Sequence, residues 1–183
     1  MGGQYGTFSN PNSLTRDFFE PEFADDGVSV LLRALPSNEV PKETRNALLQ
    51  GLAIAREILL LEDLLGAKGT ARGYPQYKTS QIRNKRDAVR KGDRLAHLER
   101  QRLKLGSAPV SDLEGLLEGQ GIVILELELP ESLSGFTVQL MGGQRVACGV
   151  NLKHPRERRR FTLAHEYCHA LVDYDRFGII SRL

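Results

Sequence analysis

Residues 122–152, IVILELELPESLSGFTVQLMGGQRVACGVNL, decide the fold. Ile122, Val123 and Ile124 are β-branched, and from Leu125 to Leu129 apolar and acidic residues alternate. That two-residue period turns one set of side chains inward and the other to water, which predicts a strand over 122–129. Pro130 ends it, having no N–H to give to a ladder. GFTVQL (135–140) and RVACGVNL (145–152) have the same strand-favouring character. Between them lies MGGQ (141–144), where Gly142 and Gly143 accept the positive φ of a tight turn, so the two strands read as a hairpin.

Upstream of the strands the period changes to that of helices. PVSDLEGLLEGQG (109–121) predicts a short one, with Pro109 in its first turn, Leu113, Leu116 and Leu117 on its buried face and EGQG closing it. From about Ser80 to Leu105 a polar helix is expected, with Ala88, Val89, Leu95, Leu98 and Leu103 as a thin apolar stripe and Gly106 as its stop. Leu48, Leu52, Ala55 and Leu59 mark an earlier helix, with Ser37 or Asn38 as cap, Pro41 in its first turn and Gly66 at its end. GAKGTARGYP (66–75) reads as a linker. The first three dozen residues read as a loosely structured leader, although TRDFFEPEF (15–23) carries aromatics able to dock. Downstream, a last helix is expected from about Pro155. Helices, then a small sheet, then a helix define an α+β fold. The organisation expected is a leader and helical segment with its glycine-rich linker over 1–75, and a second domain over 76–183.

The chain of 183 residues can bury a core without cross-links. Cys148 and Cys168 are its only cysteines, which suits a reducing compartment, and the opening MGGQYGTFSN is neither a secretory signal nor a myristoylation site. A cytoplasmic location is expected. The most apolar stretch, Ala47 to Leu65, is interrupted by Gln50, Arg56, Glu57, Glu62 and Asp63, so it reads as a buried helix and not a membrane span. The net charge of +2 conceals two basic runs: residues 81–104 are net +6 and residues 153–160 net +4. Such runs are usually solvated helix faces, but they permit an acidic partner. Direct DNA binding by 81–104 is disfavoured, since no glycine-containing turn joins two short helices there.

The chemistry lies in RRRFTLAHEYCHALV (158–172). On a helix His165 and His169 are about 40° apart and project from one face, able to converge on one ion. Glu166 is about 100° from His165, where a carboxylate can reach a metal-bound water instead of the metal; its role would be general base. With four histidines and fourteen glutamates in the chain, H-E-x-x-H arises by chance about once in 150 such sequences. Phe161, Leu163, Ala164, Tyr167, Ala170 and Leu171 supply an apolar body to bury the helix, which favours a metal site over two satisfied core histidines. Cys168 points away from His169 and reads as a packing residue; His97 and His154 read as surface histidines. Asp173 is on the right face but a turn too far along to ligate, so it reads as solvent-facing or as support behind a ligand, and Asp175 as a loop residue.

The segment RRRFTLAHEYCHALV resembles the R-x-R-F-T-[LI]-A-H-E-x-x-H segment of the ImmA/IrrE metallopeptidases. The preceding PVSDLEGLLEGQGIVILEL, the strand pair ending GVNL and the approach HPRERRRFTLAHE follow that family's order. The resemblance implies a zincin-like active-site helix packed with the small sheet, Zn2+ held by His165 and His169, and Glu166 as the catalytic carboxylate. It further implies an endopeptidase acting on helix-turn-helix repressors, and a third ligand, commonly a glutamate on a later helix. No such segment is present, so the third ligand is expected beyond Leu183 and the chain as it stands is expected to be inactive. In long members an N-terminal XRE-type helix-turn-helix precedes this domain, and SLTRDFFEPEF resembles the connection just after one. The alternative is a catalytically incomplete member that serves as a protein-binding regulatory module.

Overall fold

The computed structural model describes residues 41–66, 73–78, 80–174 and 178–182. The leader with its aromatics, the two possible caps Ser37 and Asn38, residues 67–72 of the glycine-rich stretch, and Asp175 lie outside them. Among the described residues the elements are α1 (Lys42–Leu64), α2 (Lys85–Arg102), α3 (Leu113–Glu118), β1 (Ile122–Leu127), β2 (Leu133–Leu140), β3 (Arg145–Asn151), α4 (Arg156–Val172) and β4 (Gly178–Arg182). This is the expected mixture of helices with a small sheet. No described helix is long and apolar enough to cross a membrane.

The sheet runs in the order β1-β3-β2-β4. β2 and β3 pair antiparallel, as a hairpin must, with Thr137 opposite Cys148, while β1 lies parallel to β3 with Ile124 opposite Cys148. The hairpin turn is a single 3-10 turn, Met141–Gly143, and its positive φ falls on Met141 and Gly143 instead of on Gly142 and Gly143. β4, which nothing in the sequence pattern announces, adds antiparallel to the other side of β2.

Side chains alternate across the sheet and so build two cores. On one face Val123, Leu125, Phe136, Val138, Leu140 and Ala147 meet Leu48, Leu52, Ala55 and Leu59 of α1. Each large apolar side chain buried there contributes roughly 1.5–3 kcal/mol. α1 comes this close because of Gly51 and Gly149: a Cβ on Gly51 would meet Leu127 Cδ1 at 2.8 Å, and one on Gly149 would run into the ring of Phe136. The helix is not buried along its whole apolar length, however. Leu60, Leu61, Leu64 and Leu65 are exposed, because only the Leu48–Leu59 stripe faces the strands.

On the opposite face Ile122, Val146, Cys148 and Val150 meet Leu163, Tyr167, Ala170 and Leu171 of α4, together with Leu117 of α3 and Tyr74. Tyr74 belongs to the stretch read as a linker, yet it is buried, and the neighbouring Gly73 N–H donates to Gln120 O at 3.0 Å. The short helix begins later than expected: Asp112 caps it by accepting from Gly115 N at 2.9 Å, leaving Pro109 outside.

α2 departs most from its expected packing. Asn84 caps it, accepting from Asp87 N at 3.0 Å, and Asp87 answers by accepting from Arg83 N at 3.1 Å. The expected apolar stripe does not form an inner face. Val89 is 56% and Leu98 39% exposed, whereas the buried residues of α2 are Asp87 and Glu99. This helix docks through polar groups.

Candidate metal centre

α4 starts directly after Pro155, as the sequence indicates, and carries the motif in its C-terminal half, with His169 in the last turn. Its packing face is Leu163, Glu166, Tyr167, Ala170 and Leu171, held against the sheet. Phe161 and Ala164 are not part of it. Phe161 is 74% exposed and Ala164 is also exposed, because both sit on the side of α4 away from the strands. Cys168, read as a packing residue, is exposed too.

The outer side brings His165 and His169 together. Their Nε2 atoms are 3.0 Å apart and the rings meet edge to face, with centroids 4.6 Å apart and planes at 88°. Two nitrogens each about 2.0–2.1 Å from one tetrahedral zinc would lie roughly 3.3 Å apart, so a movement of a few tenths of an ångström converts this pair into two ligands. Asp173 Oδ2 lies 2.8 Å from His169 Nδ1. A carboxylate there accepts the Nδ1 proton, which leaves the Nε2 lone pair facing His165, the arrangement that supports a metal-bound imidazole. Asp173 therefore stands behind a candidate ligand. Among the described residues no group of three His, Cys, Asp or Glu is placed to hold a metal. His97 is exposed, and His154 is half-buried with its imidazole held below the usual value by burial and by Arg158.

Glu166 points the other way. It has no solvent exposure; its Oε2 accepts from Thr137 Oγ1 on β2 at 2.7 Å, and that same hydroxyl lies 3.1 Å from the carbonyl oxygen of Glu166. Oε1 is buried without a hydrogen-bond partner. Gly135 makes the seat possible, since a Cβ there would meet Thr162 Cγ2 at 2.6 Å and Glu166 Oε1 at 3.0 Å. Cys148 lies beneath, its Sγ 3.9 Å from Thr137 Oγ1, and burial, then the nearby Glu166 carboxylate, push its thiol well above the ordinary range.

A polar cluster absent from the sequence reading holds α4 in place. Glu99 of α2 accepts from Tyr167 OH at 2.7 Å and from Tyr77 OH at 2.6 Å. Arg102 donates from Nη2 to Glu99 Oε2 at 2.9 Å and to Tyr167 OH at 3.1 Å, and from Nη1 to Gly73 O and to Gln120 Oε1, each at 2.8 Å. Burial works against the Glu99 charge, yet the hydrogen bonds from Arg102, Tyr77 and Tyr167 hold its carboxyl below the ordinary value. Burial and the Glu99 carboxylate push Tyr77 up to about 12. The one signal available in sequence is the pair of tyrosines in GYPQY (73–77), which a flexible linker would not need. Part of the second basic run is likewise used internally, for Arg159 pairs with Glu126 at 3.1 Å and Arg160 donates to Ser111 O at 3.0 Å.

Comparison with family models, with curated proteins and with solved structures finds no match to this chain.

Proposed function

We propose that this chain is the zinc-holding domain of a metallo-endopeptidase, acting on a helix-turn-helix repressor protein, as its resemblance to the ImmA/IrrE metallopeptidases implies. The observation that carries the zinc part is the meeting of His165 and His169 Nε2 on the outer side of α4, with Asp173 behind His169. Two donors suited to zinc are present: imidazole nitrogens brought together on a rigid helix, with a carboxylate behind one of them. Zinc, when bound, supplies a Lewis acid and a water acidic enough to ionise near neutral pH.

Glu166 is the proton-handling group. Its orphaned Oε1 is free to take a proton and return it. In its seat on Thr137 the carboxyl has no water contact, so the role requires a turn about its side-chain bonds that gives up the Thr137 hydroxyl and brings the carboxyl round to the histidine side of α4. That seat also favours the second reading, in which the site binds zinc and a protein partner without hydrolysis.

Calorimetry and a cleavage assay separate the two. Zinc should bind the parent chain, and His165→Ala should remove nearly all of that binding. With a purified helix-turn-helix repressor, zinc-dependent cleavage that disappears in Glu166→Gln, with zinc retained, supports the peptidase. The assay is run as well on a longer protein that adds a helix-borne glutamate downstream, and zinc binding without cleavage by both proteins supports the binding module. Equal zinc uptake by the parent and His165→Ala would overturn both.

A further inference from the structure

We infer that Thr137 is a positioning residue for Glu166: its hydroxyl holds the carboxylate in a withdrawn seat beneath α4, and loss of that one hydrogen bond sends the carboxylate to the histidine side of the helix. The inference rests on the reading of Glu166 as the proton-handling group. It deepens that reading by assigning the residue that decides where the group stands.

The seat is held at one point. A carboxylate offers about four acceptor positions, and the Thr137 hydroxyl fills one of them, 2.7 Å from Oε2. Among the described residues Oε1 has no hydrogen-bond partner, and the side chain has no contact with water. Enclosing a charge in that way is unfavourable, and one short, charge-assisted bond from β2 is what opposes it.

The hydroxyl has a second acceptor ready. Thr137 Oγ1 also lies 3.1 Å from the carbonyl oxygen of Glu166, so it can turn from the carboxylate to the backbone and remain satisfied. The carboxylate has a destination as well. Glu166 and His169 stand three residues apart on α4 and are therefore neighbours on the helix surface, and His169 is half-buried next to the exposed His165. The move takes place about the side-chain bonds of Glu166, with the backbone of α4 in place.

Three proteins test this: the full chain, Thr137→Val, which exchanges the hydroxyl for a methyl group of similar size, and Thr137→Ser, which keeps the hydroxyl. Each is treated without metal with a water-soluble carbodiimide and an amine, and the labelled carboxyls are read by peptide mass spectrometry. Glu166 should stay unlabelled in the parent and in Thr137→Ser and become labelled in Thr137→Val. The cysteines report on the fold in the same samples: exposed Cys168 should react with iodoacetamide in all three, and buried Cys148 in none. Calorimetry with zinc chloride should give about tenfold tighter binding to Thr137→Val than to the other two, the scale of one carboxylate charge brought near the ion. That gain should vanish when Glu166→Gln is combined with Thr137→Val. Glu166 labelled in the parent or in Thr137→Ser, or unlabelled in Thr137→Val, overturns the inference. So does reaction of Cys148 in Thr137→Val, since Thr137 would then hold down α4 as a whole. Unchanged zinc affinity in Thr137→Val overturns the histidine side as the destination. A parent chain and variants that take no zinc overturn the zinc reading, and the labelling alone then decides what Thr137 does.

Discussion

The two faces of the sheet are built on different principles. The face under α1 is apolar throughout: Leu48, Leu52, Ala55 and Leu59 against Val123, Leu125, Phe136 and Val138. The face under α4 is mixed, with Thr137 and Glu166 buried between helix and strand, and Glu99 buried at the rim where α2 meets Tyr167. The first face supplies stability through area removed from water. The second accepts an unpartnered carboxylate oxygen and a charged cluster, arrangements that cost stability unless every group is satisfied. The helix that bears the metal motif is the one resting on the costly face.

That contrast can be broken most forcefully at Phe136. Phe136→Ala empties the α1 face where Gly51 and Gly149 approach the ring, and should cost about 3–5 kcal/mol in urea unfolding. A loss below about 1 kcal/mol would mean that this face is not the principal core.

On the other face, Glu99→Gln weakens the clamp on Tyr77, Tyr167 and Arg102. A loss of about 2 kcal/mol is expected, short of the value for a fully enclosed pair because Arg102 keeps some contact with water. Since the folded state holds the Glu99 carboxyl below its ordinary value near 4.5, its stabilisation is fully present above that pH and is lost as pH falls toward the lowered folded value. Tyr77 has the opposite pattern: raised from 10.0 to about 12, its contribution is present below pH 10 and lost as pH rises through that interval. Unfolding measured from pH 3 to 12 should therefore lose part of its acid-side slope in Glu99→Gln, and an unchanged acid limb would show that another carboxylate controls it.

Glu166→Leu sharpens the comparison by making the α4 face resemble the α1 face. The orphaned Oε1 disappears while Thr137 keeps the backbone carbonyl of residue 166 as acceptor, so stability should rise by about 1 kcal/mol in thermal or urea unfolding. A destabilised variant would show that the carboxylate contributes more to holding α4 than its hydrogen bonds indicate. The smallest effect is expected from Val89→Gln on α2, whose side chain is more than half exposed; it should shift stability by no more than about 0.5 kcal/mol.

What was legible in the sequence follows the same division. β1, β2 and β3 were readable because the faces of a strand alternate in the sequence itself, and α4 because Pro155 and an apolar repeat mark its start and its inner side. The convergence of His165 and His169 follows from their spacing of four alone. The seat of Glu166 did not, because it depends on Thr137, twenty-nine residues earlier on another element. α2 was misread for a related reason: its apolar residues suggested a stripe, but its real partners, Tyr77 and Tyr167, are reached by Glu99 and Arg102, and no local periodicity encodes such pairs. The positive φ at Met141 is not legible because two glycines, the residue type that conformation favours, stand beside it.

The placement of β4 bears on how the molecule is made. β2 lies inside the finished sheet, but its second neighbour is the last strand in chain order, arriving only after the whole of α4. During synthesis FTVQL therefore emerges with one side paired to β3 and the other bare, an open template for strands of nearby nascent chains. The register irregularity between Leu133 and Gly135 in the β2–β4 pairing disrupts the ladder at one end of that side. Among the described residues, completion moves the bare edge from β2 to the shorter β4, so the exposure of β2 belongs to the interval before β4 arrives.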